Sequence, residues 1–217
     1  MSDINIQLVR EFFELNQFSV LTHWPHQDER ARGGEGGSLL FVERLGEASG
    51  DVAPFLLHCG DLRHLKRAVV EVRAWHADKF YPSVVESSPI LAHVASAEVA
   101  ALAHETFSGD SFTTILVISE LPSTAAPRGR TLQLLEGLRV GHILEFGTLL
   151  AGMAWQLSSQ GNYAPSQTLQ TLRLLKRYDL LRRQQLEFPF QVEPAPRTLA
   201  RVVDTDLAVR ENELPGE

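Results

Sequence analysis

Glu71 and Arg73 stand two residues apart in the run Ala68-Val-Val-Glu-Val-Arg-Ala-Trp-His76. A stretch this short, rich in β-branched residues and bounded by polar ones, reads as a strand buried in a mixed sheet. Residues i and i+2 of a strand share a face, so the acid and the cation are expected side by side. A buried carboxylate is costly unless it has a purpose or a partner. Arginine can clamp a phosphate, but it stays protonated and cannot act as a general base.

Other chemistries find less support. Zinc sites need convergent ligands at definite spacing, and no His-x-x-x-His or His-Glu-x-x-His pattern occurs among the eight histidines. His23, His26, His58 and His64 read as surface or loop residues. His76 is kept as a candidate because it follows the Glu71 strand and could contact a phosphate or a water there. Cys59 is the only cysteine, which excludes an internal disulfide and a thiolate cluster. There is no Gly-x-Ser-x-Gly elbow, and the glycine-rich residues 33–37 lack the Lys-Ser/Thr of a phosphate loop. Trp24, Trp75 and Trp155 are isolated, which fits core packing better than base stacking.

The elements that must position these groups come from a chain of 217 residues, 44% hydrophobic and 22% charged, enough for one domain with a sizeable core. No apolar run is long enough to span a bilayer. Met-Ser-Asp-Ile-Asn at the N-terminus lacks the basic segment and apolar stretch of a signal peptide, so a cytoplasmic protein is expected. The net charge of −7 disfavours phosphate binding overall without excluding a local basic patch. Two basic runs stand out: Arg63, His64, Lys66 and Arg67 before the Glu71 strand, and Arg173, Lys176, Arg177, Arg182 and Arg183 near a helix end. A solvated face, with cations at a helix C-terminus, accounts for them most simply.

Periodicity predicts a helix over 4–17, with Ile6, Val9, Phe12 and Phe13 as its stripe, and strands over 18–23, 38–42, 55–58 and 68–75. Residues 25–37 read as a flexible loop. Residues 79–92 are ambiguous because of Pro82 and Pro89. A helix over 96–107 with Ser96 as N-cap precedes a β-branched strand over 113–119. A loop over 122–130, a helix near 131–138, a short strand over 141–145 and helices over 147–159 and 166–181 complete the reading. Leu149, Leu150, Met153 and Trp155 are assigned to core or to a subunit interface. Strands early and helices later give an α/β or α+β class with a mixed sheet. Residues 1–181 form one domain, and 182–217, with three prolines in 189–196, form a tail that is partly disordered or packed as an arm.

The succession of an opening helix, Gln17-Phe-Ser-Val-Leu21, Ser38-Leu-Leu-Phe-Val42 and Val69-Val-Glu-Val-Arg-Ala-Trp-His76 resembles the PD-(D/E)XK family, the restriction-endonuclease-like fold. Thr114-Ile-Leu-Val-Ile-Ser119, Val140-Gly-His-Ile-Leu-Glu-Phe146 and Tyr163-Ala-Pro-Ser-Gln-Thr-Leu-Gln-Thr-Leu-Arg-Leu-Leu-Lys-Arg-Tyr178 resemble later segments of that superfamily. The resemblance covers roughly residues 4–181. It implies an α/β domain with a mixed central sheet flanked by helices, here with additional C-terminal helices.

The same resemblance implies a Mg²⁺ site. An Asp at the start of the second core strand and the Glu of a Glu-x-Lys motif hold the ion, which activates water and stabilises charge on the scissile phosphate. Glu71 matches the acid, Arg73 replaces the lysine, and Ser38 falls at the Asp position. Glu35 is a stand-in from the glycine-rich loop, and Glu11 or Glu14 from the opening helix. The pattern implies a degenerate nuclease site, with Glu71 held by an ion pair for which Arg73 is one candidate. The leading expectation is a nuclease-like protein that acts by binding. Its partner is a protein, or nucleic acid held through Arg63, Lys66, Arg67, Arg73 and His76. The alternatives are an active Mg²⁺-dependent phosphodiesterase and a homodimeric assembly protein without a nucleic-acid role.

Overall fold

The computed structural model describes residues 3–23, 38–163 and 165–180. The expectations for Trp24, His26, Glu35, Arg182, Arg183, the glycine-rich loop and the 182–217 tail lie outside them.

Helix α1 (Asp3–Leu15) leads into strand β1 (Phe18–His23). Gln17 makes the corner with a positive φ of 64°. Strands β2 (Leu39–Arg44) and β3 (Arg67–Arg73) follow, then β4 (Thr113–Ile118) and β5 (His142–Glu145). They form one five-stranded sheet in the order β1-β2-β3-β4-β5. The first three strands are antiparallel neighbours, and β3, β4 and β5 run parallel. Parallel neighbours require crossovers. Helices α2 (Pro82–Ser87) and α3 (Ala97–Thr106) belong to the first crossover, with a 3-10 segment, Pro89–Ala95, between them. Helix α4 (Ala125–Gly137) makes the second. Helices α5 (Phe146–Gln156) and α6 (Gln167–Arg177) close the described chain.

Alternation along β3 divides the core. Ala68, Val70 and Val72 pack with Phe12, Phe13, Leu149, Met153 and Leu169, so α1, α5 and α6 cover one face. Leu116, Ile118 and Ile143 pack with Val85, Leu91, Val94 and Leu135, while Val69 packs with Val99 and Ala103. The 3-10 segment and helices α2, α3 and α4 therefore cover the other face. The result is an α/β fold whose mixed five-stranded sheet is flanked by helices. No helix among the described residues is long and apolar enough to cross a membrane.

Two local readings need correction, and one open stretch is resolved. Residues 55–58 do not form a sheet strand. Leu56 makes a single parallel bridge to Ile143 along the outer side of β5, and a 3-10 turn, Cys59–His64, follows. The expected loop over 122–130 is helical from Ala125 onward. Pro127 lies in the first turn, where its missing N–H breaks no hydrogen bond. The ambiguous stretch after residue 79 resolves into two short helical pieces, each starting with a proline, Pro82 or Pro89. The basic run near the chain end acquires a specific role at one residue. Lys176 Nζ donates to the carbonyls of Ala154, Trp155 and Leu157, closing the C-terminal end of α5.

Candidate functional site

Glu71 lies in the middle of the sheet, paired in register with Leu39 of β2 and Leu116 of β4. Leu39 packs beside Val69 on the face covered by α3, and Glu71, two residues on from Val69, points to that same face. Its exposure is 0%, and that of Arg73 is 4%. Arg73 Nε donates to Glu71 Oε1 at 2.9 Å, and Arg73 Nη2 donates to the same oxygen. The other oxygen, Oε2, lies 3.1 Å from Nδ1 of His93, in the 3-10 segment that crosses this face. An ionised carboxylate only accepts, so Nδ1 carries the proton of that bond. Both oxygens of Glu71 are thus engaged by side chains of the protein.

His93 shows the electrostatic consequence. Its hydrogen bond to Glu71 is the largest influence and raises its pKa above the ordinary 6.5. Burial and the Arg73 charge oppose the rise, and the charges of Glu71 and Glu98 add to it. A raised folded-state pKa contributes stability that is complete below the unfolded value and is lost as pH rises through the folded one. Urea unfolding is therefore expected to show declining stability on going from about pH 6 to alkaline pH, with His93→Gln flattening that part of the profile. An unchanged profile in His93→Gln would contradict the assignment.

The remaining candidates are dispersed. Ser38 is buried just before β2, but Leu39, an aliphatic residue, is the one opposite Glu71. Glu11 sits on α1, against the opposite face of the sheet, where its Oε1 accepts from Gln7 Nε2 at 3.0 Å and Ser166 Oγ at 2.5 Å. Glu14 pairs with Arg10 in solvent. Glu11 and Glu71 are therefore separated by the sheet, and the expected pairing of the two around one ion is not formed. Among the described residues no group of three or more His, Cys, Asp or Glu side chains converges to hold a metal ion. Mg²⁺ demands near-octahedral oxygen donors. A carboxylate already bonded at both oxygens to cationic or N–H groups does not fit it.

The basic run before β3 is largely engaged within the fold. Arg67 bridges Glu43 at 2.9 Å and Asp110 at 2.7 Å, and Lys66 donates to the carbonyls of Arg44 and Gly46. Arg63 reaches the neighbouring His64 ring. His76 is exposed beyond the end of β3, with Nε2 at 3.2 Å from Asn5 Oδ1 and its ring edge-on to Phe146.

Sequence reasoning missed His93 and Asn5. His93 follows Pro89 in a stretch whose breakers hide any period, and nothing in its spacing from Glu71 signals contact. Asn5 lies on the predicted opening helix, yet only the tertiary fold brings it to His76. No protein-family model, curated protein or solved structure matches this chain.

Proposed function

We propose that this chain is a non-catalytic member of the restriction-endonuclease-like group, which keeps the nuclease architecture and acts by binding a protein partner. The order of elements supports the reading: an opening helix, three antiparallel strands, a helical crossover and a parallel strand, with Glu-x-Arg on the third strand. One observation carries the loss of chemistry. Glu71, the acid left to hold an ion, is fully buried and bonded to Arg73 and His93. A guanidinium beside it repels a divalent cation and cannot take a proton from water.

Charge favours a protein partner over nucleic acid. Affinity for nucleic acid comes largely from cations that neutralise phosphates. Here the net charge is −7, and Arg67 and Lys66 are bonded to acids and carbonyls of the fold.

The test is incubation of the protein with single- and double-stranded DNA and RNA in Mg²⁺ or Mn²⁺, beside Glu71→Gln. The expected result is no metal-dependent cleavage by either protein and no salt-dependent retention of the nucleic acids. Cleavage by the unaltered chain that disappears in Glu71→Gln would restore the phosphodiesterase reading.

A further inference from the structure

A cleft of about 540 Å³ opens at the carboxyl ends of β3 and β4, walled by α1 and the start of α5. It is distinct from the Glu71 cluster, which lies within the sheet under the 3-10 segment. Ligands of open α/β sheets commonly bind beyond the carboxyl ends of parallel strands, and the volume is in the range of natural ligand sites. Leu8, Phe146 and Leu150 give it an apolar wall.

Its polar groups divide into those already engaged and those left open. Lys79 is paired with Glu120 at 2.6 Å, and Ser119 Oγ donates to the Asp78 carbonyl. Asn5 Nδ2 donates to the Ala74 carbonyl, which fixes Asn5 Oδ1 as the atom facing His76. Oδ1 only accepts, so His76 Nε2 must be the donor. In the neutral ring Nδ1 is then an acceptor with no partner among the described residues. Two residues on, the exposed Asp78 carboxylate has no ion pair among the described residues. The open side-chain groups are thus acceptors, beside the uncapped N–H groups that begin α5. Two carboxylates, Asp78 and Glu120, against one ammonium, Lys79, leave the cleft with one net negative charge. That balance also offsets the positive end of α5, whose first turn forms part of the wall.

We propose that this cleft takes a basic side chain of a partner protein, an arginine or a lysine, flanked by an apolar residue. The cation sits between the Asp78 carboxylate and His76 Nδ1, and its methylene stem and the apolar neighbour lie against Leu8, Leu150 and Phe146. A guanidinium suits two acceptors at different angles better than a point charge does. This assignment rests on the reading of the chain as a protein-binding module.

The test is a titration of the ¹⁵N-labelled full chain with the capped dipeptide acetyl-leucyl-arginine amide and with its neutral citrulline counterpart, followed by amide chemical shifts. The arginine peptide is expected to produce saturable shifts at Ala77, Asp78 and Gly147. The citrulline peptide should bind about tenfold more weakly, and Asp78→Asn should weaken the arginine peptide about tenfold. Glu14→Gln, an exposed carboxylate elsewhere, should change neither. Equal affinity for the two peptides, no saturable shift at these amides, or indifference to Asp78→Asn would overturn the proposal. So would saturable shifts at these amides with a single-stranded oligonucleotide, because they would mean the cleft accepts anions. The cleavage assay is read independently. Metal-dependent cutting with intact peptide binding would remove the non-catalytic reading alone, and loss of peptide binding without cutting would remove the cleft alone.

Discussion

Replacing Arg73 with methionine is expected to cost about 3–5 kcal/mol in urea unfolding, the usual effect of stranding one partner of a buried ion pair. Glu71 has no exposed surface through which water could take over from the guanidinium. His93 bonds only to Oε2, and Oε1 would be left without the donors it now has. The double variant Glu71→Leu/Arg73→Met removes the charge together with its partner and is expected to regain most of that loss, because apolar replacement of a buried pair is often neutral or better. A loss under about 1 kcal/mol in Arg73→Met would mean that Glu71 does not depend on the guanidinium, and the account of the cluster would fail. The comparison also separates structure from chemistry. If the double variant folds as well as the unaltered chain, the pair is retained for reasons other than stability.

The second large effect is expected at Phe12. Its ring is fully buried between the sheet and α5, edge-on to Phe13 with centroids 5.5 Å apart, and Phe13 continues edge-on to Phe18. Phe12→Ala should destabilise the protein by about 3–5 kcal/mol through lost burial and the cavity left behind. Gly152 on α5 makes the same point from the opposite wall. A methyl group there would collide with Cys59 Sγ and stand 3.1 Å from Phe12 Cε2. Gly152→Ala is therefore expected to cost about 1–3 kcal/mol by overpacking. Because the collision is with the Cys59 sulfur, a Cys59→Ala background should absorb much of the Gly152→Ala penalty. Strict additivity of the Cys59→Ala and Gly152→Ala effects would show that α5 and the turn at Cys59 do not meet as described.

Sheet strands were legible because their patterns are unambiguous. Phe18–His23 was bounded as observed, and the β-branched Thr113–Ile118 and Ala68–Arg73 runs could belong only to buried strands. Ser96 was readable as an N-cap, and its side chain accepts from Val99 N. Helix α4 begins at Ala125, earlier than the expected 131, and Pro127 in its first turn is harmless there. Residues 55–57 have the composition of a strand, but their pairing is confined to contacts with the short β5.

The site was legible only in part. The shared face of Glu71 and Arg73 follows from the two-residue period, and their contact matches one of the options the sequence allowed. The face on which α1 would lie does not follow from any local pattern, so Glu11 could not be separated from Glu71 without the fold. His93 was beyond reach for the same reason, since a three-dimensional crossover, not a sequence interval, delivers it to the carboxylate.

The parallel pairing of β3 with β4 also sets a timetable for the newborn chain. Strands β1, β2 and β3 pair with their neighbours in chain order, but Leu116, the neighbour of Glu71, emerges much later, after His93. Contacts so distant along the chain close slowly. Until they close, the charged pair on β3 stays wet and the flank of the meander that will receive β4 lies open. Burial of the two ions therefore waits on β4 and on the segment that carries His93, and a chain halted before residue 93 keeps them hydrated.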